Sequence, residues 1–328
     1  MENFEKKNLY EIYRKMSLDD VIKYYQELRK YEYEQDNPIK GIKVRKALYK
    51  LINLILRLDA ISKKRKVTII GDERNVIHYF KAAKDELLNT KMPKDKSRIY
   101  SCTHIGRYDI ESALQAVGES CYFIMADPGE SYQNVDGLLL RANGVSWFDM
   151  YNRFDAHTVN ERQLKVLSQG GNELNFGEAA YCLDPVNPVG KIHPGVARRA
   201  IKTDSRIIPV SMEQYEDEKG IKEYVVNIGK SIDLTGASLS ESEAVSYFVQ
   251  DEMIELKKKI WQQYGGGKPT EEEFMTNPNA LEEYKKWIDF IMRDVPDYYT
   301  VEDIMREVYS PSKLTVESLE KIGYLKKR

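Results

Sequence analysis

The 328-residue chain reads as an α/β protein: a mostly parallel or mixed sheet flanked by helices, with helical additions at both ends. Three observations predict this. Short apolar runs at 67–71, 98–102, 121–125, 145–148, 173–176, 207–212 and 224–228 alternate with amphipathic stretches, the pattern of strands joined by covering helices. Outside residues 66–238 the strand-length runs stop and helical spacing takes over. No run of about 18 apolar residues occurs, so no helix spans a membrane. The expected organisation is an N-terminal helical segment 1–65, an α/β core 66–238 and a C-terminal helical extension 239–328. A chain of this length can bury a full core as one large domain with additions.

Composition narrows the function classes. Lys and Arg total 50 against 52 Asp and Glu, a formal net charge of -2, which argues against general nucleic-acid binding. Three cysteines, Cys102, Cys121 and Cys182, are an odd number without paired spacing and read as thiols of a reducing compartment. The polar, acidic start Met1-Glu2-Asn3-Phe4-Glu5-Lys6 has no signal-peptide pattern. The expected location is the cytoplasm, with peripheral attachment to the inner face of a membrane as a candidate.

Taken in order, residues 1–36 are charged and Tyr-rich, with Leu18, Val21, Ile22, Tyr25 and Leu28 at helical spacing, and Asn37-Pro38 breaks that helix. A second helix is expected over 40–61. Its stripe of Val44, Ala47, Leu48, Leu51, Ile52, Ile55 and Leu58 has Lys43, Arg45, Lys46, Lys50 and Arg57 outside it. Two readings stay open: a helix packed on the core with a solvated basic back, or one lying on an anionic membrane surface. The first strand is 67–71, then a helix over 75–88 carrying a structural His78, then a polar loop 91–97 leading to strand 98–102. A helix over 109–117, a short helix at 137–141 and an amphipathic helix over 158–169, ended by Gly170-Gly171, intersperse the later strands, as does a helix over 196–202. Ser240-Glu241-Ser242-Glu243 reads as a capping box before a long helix to Tyr264, ended by Gly265-Gly266-Gly267. Thr270-Glu271-Glu272-Glu273 opens a further charged, helical stretch.

The segment Thr103-His104-Ile105-Gly106-Arg107-Tyr108-Asp109 carries the chemistry. On an ideal helix, residues five apart are turned by about 140°, so His104 and Asp109 meet only if His104 sits in the turn before the helix and Asp109 in its first turn. Gly106 is expected to permit the bend. An imidazole held by a carboxylate at a strand end is a general-base arrangement. Cys102 would share the strand face with His104, although a buried small thiol is the commoner outcome.

Further on come Gly144-Val145-Ser146-Trp147-Phe148-Asp149-Met150, Leu174-Asn175-Phe176-Gly177-Glu178-Ala179, Lys191-Ile192-His193-Pro194-Gly195 and Arg206-Ile207-Ile208-Pro209-Val210. In this order, the region 66–235 resembles the glycerol-phosphate and lysophosphatidate acyltransferases. That family has a His-x4-Asp block, a Gly-x-x-Phe-x-x-Arg-like block, a Phe-Pro-Glu-Gly block and a final apolar-Pro block. The resemblance implies His104 as the base that takes a proton from an acceptor hydroxyl, with Asp109 orienting the ring. It implies substrate-binding roles for Arg107, Glu178, Arg153, Tyr181 and Lys191, and a shaping role for Pro209. His193 is a loop histidine near this turn, and His157 is read as surface. No metal and no cofactor are implied; the donor is an acyl-CoA or acyl-carrier-protein thioester. The acceptor is a lipid, a sugar or another alcohol or amine.

Two departures bear on that acceptor. Met150 stands where the second block usually has arginine, unless Arg153 replaces it, and Tyr181 stands where the third block has another. Those arginines suit a phosphate, so their loss weakens the inference to a phosphate acceptor more than the inference to acyl transfer. Arg107, Arg153, Lys191 and Arg198 remain as candidate cations. The alternatives are a catalytically silent lipid- or partner-binding member of the family, and a thioester hydrolase.

Overall fold

A strand of almost wholly buried residues, Arg98–Cys102, runs through the middle of the sheet, with Ile99, Tyr100 and Cys102 fully enclosed. In the computed structural model, residues 38–79, 96–126, 142–148, 153–179 and 181–293 are described. Among them the strands are β1 (Arg65–Asp72), β2 (Val76–His78), β3 (Arg98–Cys102), β4 (Cys121–Ala126), β5 (Val145–Phe148), β6 (Asn172–Asn175), β7 (Arg206–Glu216), β8 (Lys222–Ile228) and β9 (Ser231–Asp233). The helices are α1 (Pro38–Ser62), α2 (Asp109–Val117), α3 (Arg153–Ser168), α4 (Gly195–Thr203), α5 (Ser242–Tyr264), α6 (Glu271–Thr276) and α7 (Ala280–Met292). The expected helices at 1–36 and 137–141, loop residues 91–95, Met150 and everything after 293 lie outside the described residues.

The nine described strands form one sheet in the order β1-β8-β7-β3-β6-β4-β5, with β9 on β7 and β2 on β9. All pairings are parallel except β7 with β8 and β7 with β9. This is the mostly parallel, helix-flanked α/β sheet the alternating pattern predicts. Both faces of the central strands are covered, so even polar residues of β3 and β6, such as Ser101 and Glu173, are buried. Side chains alternate between the faces. Tyr100, Cys102, Ile208 and Val210 pack with Leu114 and Val117 of α2 and with Ile52 and Leu56 of α1. Ile99 and Ile207 pack with Val196 and Ala200 of α4 and with Val245, Val249 and Met253 of α5. Each such fully buried aliphatic side chain contributes about 1.5–3 kcal/mol. Helix α5 begins beyond residue 238, yet it shares this second core with the strands.

Several local expectations are corrected. Residues 76–78 are a strand, not the start of a helix over 75–88: β2 pairs with β9, and Ser231 donates to the Asn75 carbonyl at 2.7 Å. Backbone pairing between distant segments overrides local helical spacing here. The capping box before α5 is Ser238 with Glu241, in a short 3-10 turn at Leu239–Glu241, not Ser240 with Glu243. Helix α1 covers the predicted span but turns differently. It buries Ile42, Tyr49, Ile52, Leu56 and Ala60 and exposes Val44, Leu48, Leu51, Ile55 and Leu58. Most of the stripe read from hydropathy faces out, because the opposite side carries the partners: Tyr49 donates to the Leu114 carbonyl and Arg45 stacks on Tyr122.

Helix α2 is buried along almost its whole length and includes Glu111, 5% exposed. Burial pushes the Glu111 carboxyl up to about 7, with the nearby charges of Arg65 and Arg107 pulling the other way. A carboxyl raised from 4.5 on folding binds its proton more tightly in the folded chain. The linked stability is therefore fully present below about pH 4.5 and lost as pH rises toward 7. Glu111→Gln should flatten that slope and stabilise the protein at pH 8 by roughly 1–3 kcal/mol. Urea unfolding at pH 5 and pH 8 checks this; identical pH slopes for the two proteins would rule it out.

Candidate active site

The turn that follows β3 is held from three sides. Thr103 donates its amide to the Val210 carbonyl at 3.1 Å, and its hydroxyl accepts the Met212 amide at 2.9 Å, fastening the turn to β7. Asp109 is the first residue of α2 and is 1% exposed. Its Oδ2 bonds Nδ1 of His104 and also accepts the amides of Ile105, at 3.0 Å, and Gly106, at 3.4 Å. A carboxylate in the first turn is further favoured by the helix dipole. Gly106 serves the site by close approach rather than by a left-handed backbone. A Cβ there would lie 3.3 Å from the Gln214 side chain and 3.6 Å from the Ile291 carbonyl.

The backbone of His104 is fixed as well as its ring. Its N–H donates to Glu178 Oε2 at 2.6 Å, and its carbonyl accepts the Cys182 amide at 3.3 Å. The other oxygen of Glu178 accepts the Gly190 amide at 2.5 Å. Glu178 is buried, which pushes its pKa up; the His104 amide, the charge of Lys257 and the Gly190 amide pull it back. Both carboxylate oxygens are engaged with backbone, so Glu178 ties the histidine turn to the loops after β6. Gly177 lets Ile192 approach, since a Cβ there would meet its side chain at 2.9 Å. Ala179 stands where the resembling family has glycine and still adopts φ 57°, the left-handed region. The imidazole lies between Phe176, ring centre at 4.9 Å, and Tyr181, at 4.1 Å. Nδ1 is engaged by Asp109, which leaves Nε2 for whatever enters.

His104 borders a narrow cleft that the C-terminal helices help to wall. Trp287 and Ile291 of α7, Lys257 of α5 and Glu213 of β7 line it together with Tyr181 and Leu183. The free volume at its centre is about 10 Å³, roughly the room of one water. Lys268 locks the wall in place. Its ammonium donates to the carbonyls of Cys182, Asp184 and Asn187 and lies 4.7 Å from the Trp287 ring centre. Tyr284 bonds the Leu183 carbonyl.

Of the residues singled out from the sequence, His104, Asp109, Glu178 and Tyr181 come together. Arg107 lies beside the Tyr108 ring, 5.9 Å from its centre. Lys191 is exposed, 3.9 Å from Glu243 and 6.0 Å from the Tyr247 ring, and is not part of the cleft wall. Arg153 opens α3, and only its backbone is described. His193 is exposed. Cys102 is fully buried, and burial raises its thiol well above the usual range, which suits packing and not nucleophilic chemistry. Sequence reasoning missed Glu213, Lys257, Trp287 and Ile291. A signal existed for Lys257: it stands four residues after Met253 and three before Ile260, inside the apolar stripe of α5.

No protein-family model and no curated protein matches the chain. Among solved structures, the 1-acyl-sn-glycerophosphate (LPA) acyltransferase PlsC from Thermotoga maritima is similar at 18% identity and a TM-score of 0.47, over 68% of this chain and 83% of that one. A likeness this distant speaks to neither activity nor substrate.

The double engagement of Glu178 has a measurable consequence. Glu178→Ala strands the buried amides of His104 and Gly190, and should destabilise the fold by about 2–4 kcal/mol. Chemical denaturation reads this directly, and a loss below about 0.5 kcal/mol, the range of an ordinary surface substitution, would mean the clamp is unimportant.

Proposed function

We propose that the protein is an acyltransferase in which His104 is the general base, moving an acyl group from a CoA or carrier-protein thioester to a hydroxyl or amine. The observation that carries this reading is the imidazole bound through Nδ1 to a buried carboxylate at the carboxyl end of the central parallel strand, on a residue that borders a cleft. Ligand sites of open α/β sheets favour that end. In the reaction, Nε2 takes the acceptor's proton as its oxygen attacks the thioester carbonyl. Asp109 stabilises the imidazolium. The tetrahedral adduct collapses, the carbon–sulfur bond breaks, and the proton passes to the departing thiolate. No acyl-enzyme is needed. Tyr181, packed at a tilt against the imidazole where an arginine would suit a phosphate, favours an uncharged acceptor.

His104→Ala should lower turnover by about 10²–10⁴, the usual contribution of a general base, and Asp109→Asn should also be severe because the ring loses its orienting carboxylate. Thiol release from an acyl-CoA, followed with and without alcohol acceptors, is the assay. Release independent of any acceptor would point to a hydrolase. No release by the wild-type protein, or near-normal release by His104→Ala, would overturn the proposal.

The outer side of α1 supports a membrane-surface site of action. With about 100° per residue, Val44, Leu48, Leu51, Ile55 and Leu58 fall on one side, and Lys43, Lys50 and Arg57 on the adjoining one. All are exposed, Leu58 at 58%. Lys46 lies on the same basic side, bonded to the Gly170 carbonyl. An apolar strip edged by cations suits an anionic bilayer. No helix among the described residues is long and apolar enough to cross one. Sedimentation with anionic vesicles should be clear, weaken with salt and vanish on charge reversal at Lys43, Lys46 and Lys50. Equal binding to neutral vesicles, or none to either kind, would exclude this role.

A further inference from the structure

The cleft beside His104 carries two charged side chains, Glu213 and Lys257, and neither belongs to the His-x4-Asp turn or the loop after β6. Lys257 arrives from α5, and its side chain is 5% exposed. Its ammonium makes no hydrogen bond among the described residues. Its nearest carboxylate oxygen, Glu213 Oε2, is 3.5 Å away, and that oxygen already accepts the Trp261 indole N–H at 2.8 Å. Oε1 of Glu213 takes only a 3.3 Å contact from the Gln214 amide. An ammonium with unused donors and a carboxylate with unused lone pairs therefore border one enclosed space. Buried polar groups of this kind are ordinarily satisfied, and here the cleft is what remains to satisfy them.

We infer that the cleft binds a neutral polyhydroxyl compound, with hydroxyls accepting from Lys257 and donating to Glu213. The acyl-transfer reading enters only in making this compound the acceptor. The charge balance decides the class. Among the residues lining the cleft, Lys257 and Glu213 cancel. Lys268, behind the wall, spends its donors on the carbonyls of Cys182, Asp184 and Asn187 and has the Asp184 carboxylate as a counter-charge. The cleft therefore offers no free cation to a phosphate, and an uncompensated anion in an enclosed site is strongly disfavoured. A hydroxyl is both donor and acceptor and satisfies both partners at once. A protonated amine would leave the Lys257 donors unmet and add a like charge. Tyr181, Trp287 and Ile291 close the space, so an occupant displaces them, and a flat aromatic wall suits the apolar face of a sugar ring.

The experiment reads occupancy apart from catalysis. The chain has three tryptophans, and two of them, Trp261 and Trp287, touch this cleft or its carboxylate. Their fluorescence is titrated with glycerol against glycerol 3-phosphate, and with glucose against glucose 6-phosphate. The wild-type protein should respond to at least one neutral compound at a lower concentration than to its phosphate. Glu213→Gln keeps an oxygen for the Trp261 N–H but leaves Lys257 uncompensated. It should shift preference toward the phosphates by about tenfold or more, the scale of one unscreened charge at close range. Lys257→Met should weaken the neutral compounds without gaining phosphates. Circular dichroism and thermal melts establish that each variant folds. A wild-type preference for the phosphates, no response to any of the four compounds, or an unmoved preference in Glu213→Gln overturns the inference. If the predicted binding appears but no acyl product forms, the subsite stands and acyl transfer falls. If acyl transfer proceeds without the predicted charge dependence, the reverse holds.

Discussion

One carboxylate oxygen, Oδ2 of Asp109, organises the site. It bonds the His104 ring and gathers the amides of Ile105 and Gly106, so the turn between β3 and α2 has a single closing point. The position is available because the helix starts at Asp109 itself. Its first amides and its dipole both favour a negative charge there. The oxygen would be costly to bury without these partners. With them, it fixes the tautomer and the heading of the imidazole in one step. The rest of the fold serves that geometry: β3 is pinned between β6 and β7, Thr103 ties the turn to β7, and Glu178 holds the histidine backbone from the other side.

The C-terminal helices finish what the sheet begins. A parallel sheet leaves its carboxyl edge open, and here α5 and α7 cover it with Lys257, Trp287 and Ile291. Lys268 and Tyr284 fasten the loop after β6 to the same helices. The charge at this edge is thus set by Lys257, beyond residue 239, as well as by residues of the sheet and of the turn that carries the histidine. Helix α1 lies on the other layer and presents its apolar and basic sides outward, so the cleft and this exposed face belong to separate parts of the chain.

How much of this was legible follows from the range of each interaction. His104 and Asp109 were legible because five residues and a strand-to-helix boundary fix their meeting locally. The central strands β3 and β7 were legible because each carries a short cluster of apolar and aromatic residues, Ile99-Tyr100 and Ile207-Ile208, between turn signals. Helix α1 shows the limit: periodicity found apolar residues but not which side meets the core, and on that side Tyr49, Asn53 and Ala60, none strongly hydrophobic, stand among Ile42, Ile52 and Leu56. The strand β2 was hidden because its pairing with β9 joins residues more than 150 positions apart. Glu178 was legible as a site residue, but its engagement by two backbone amides was not, since Gly190 reaches it only through the folded loop. Glu213 and Lys257 come together through packing of α5 on β7, which no local pattern encodes.

The central claim is that Asp109 holds a proton on Nδ1 of His104 and so makes Nε2 the nitrogen that accepts one. The chain has four histidines, few enough for ring nitrogen-15 spectra to be assigned by single substitution. The account predicts that the neutral imidazole of His104 carries its proton on Nδ1, without tautomer exchange, and that Asp109→Asn abolishes this state. A neutral ring with its proton on Nε2, or rapid averaging between the two nitrogens in the wild-type protein, would contradict it.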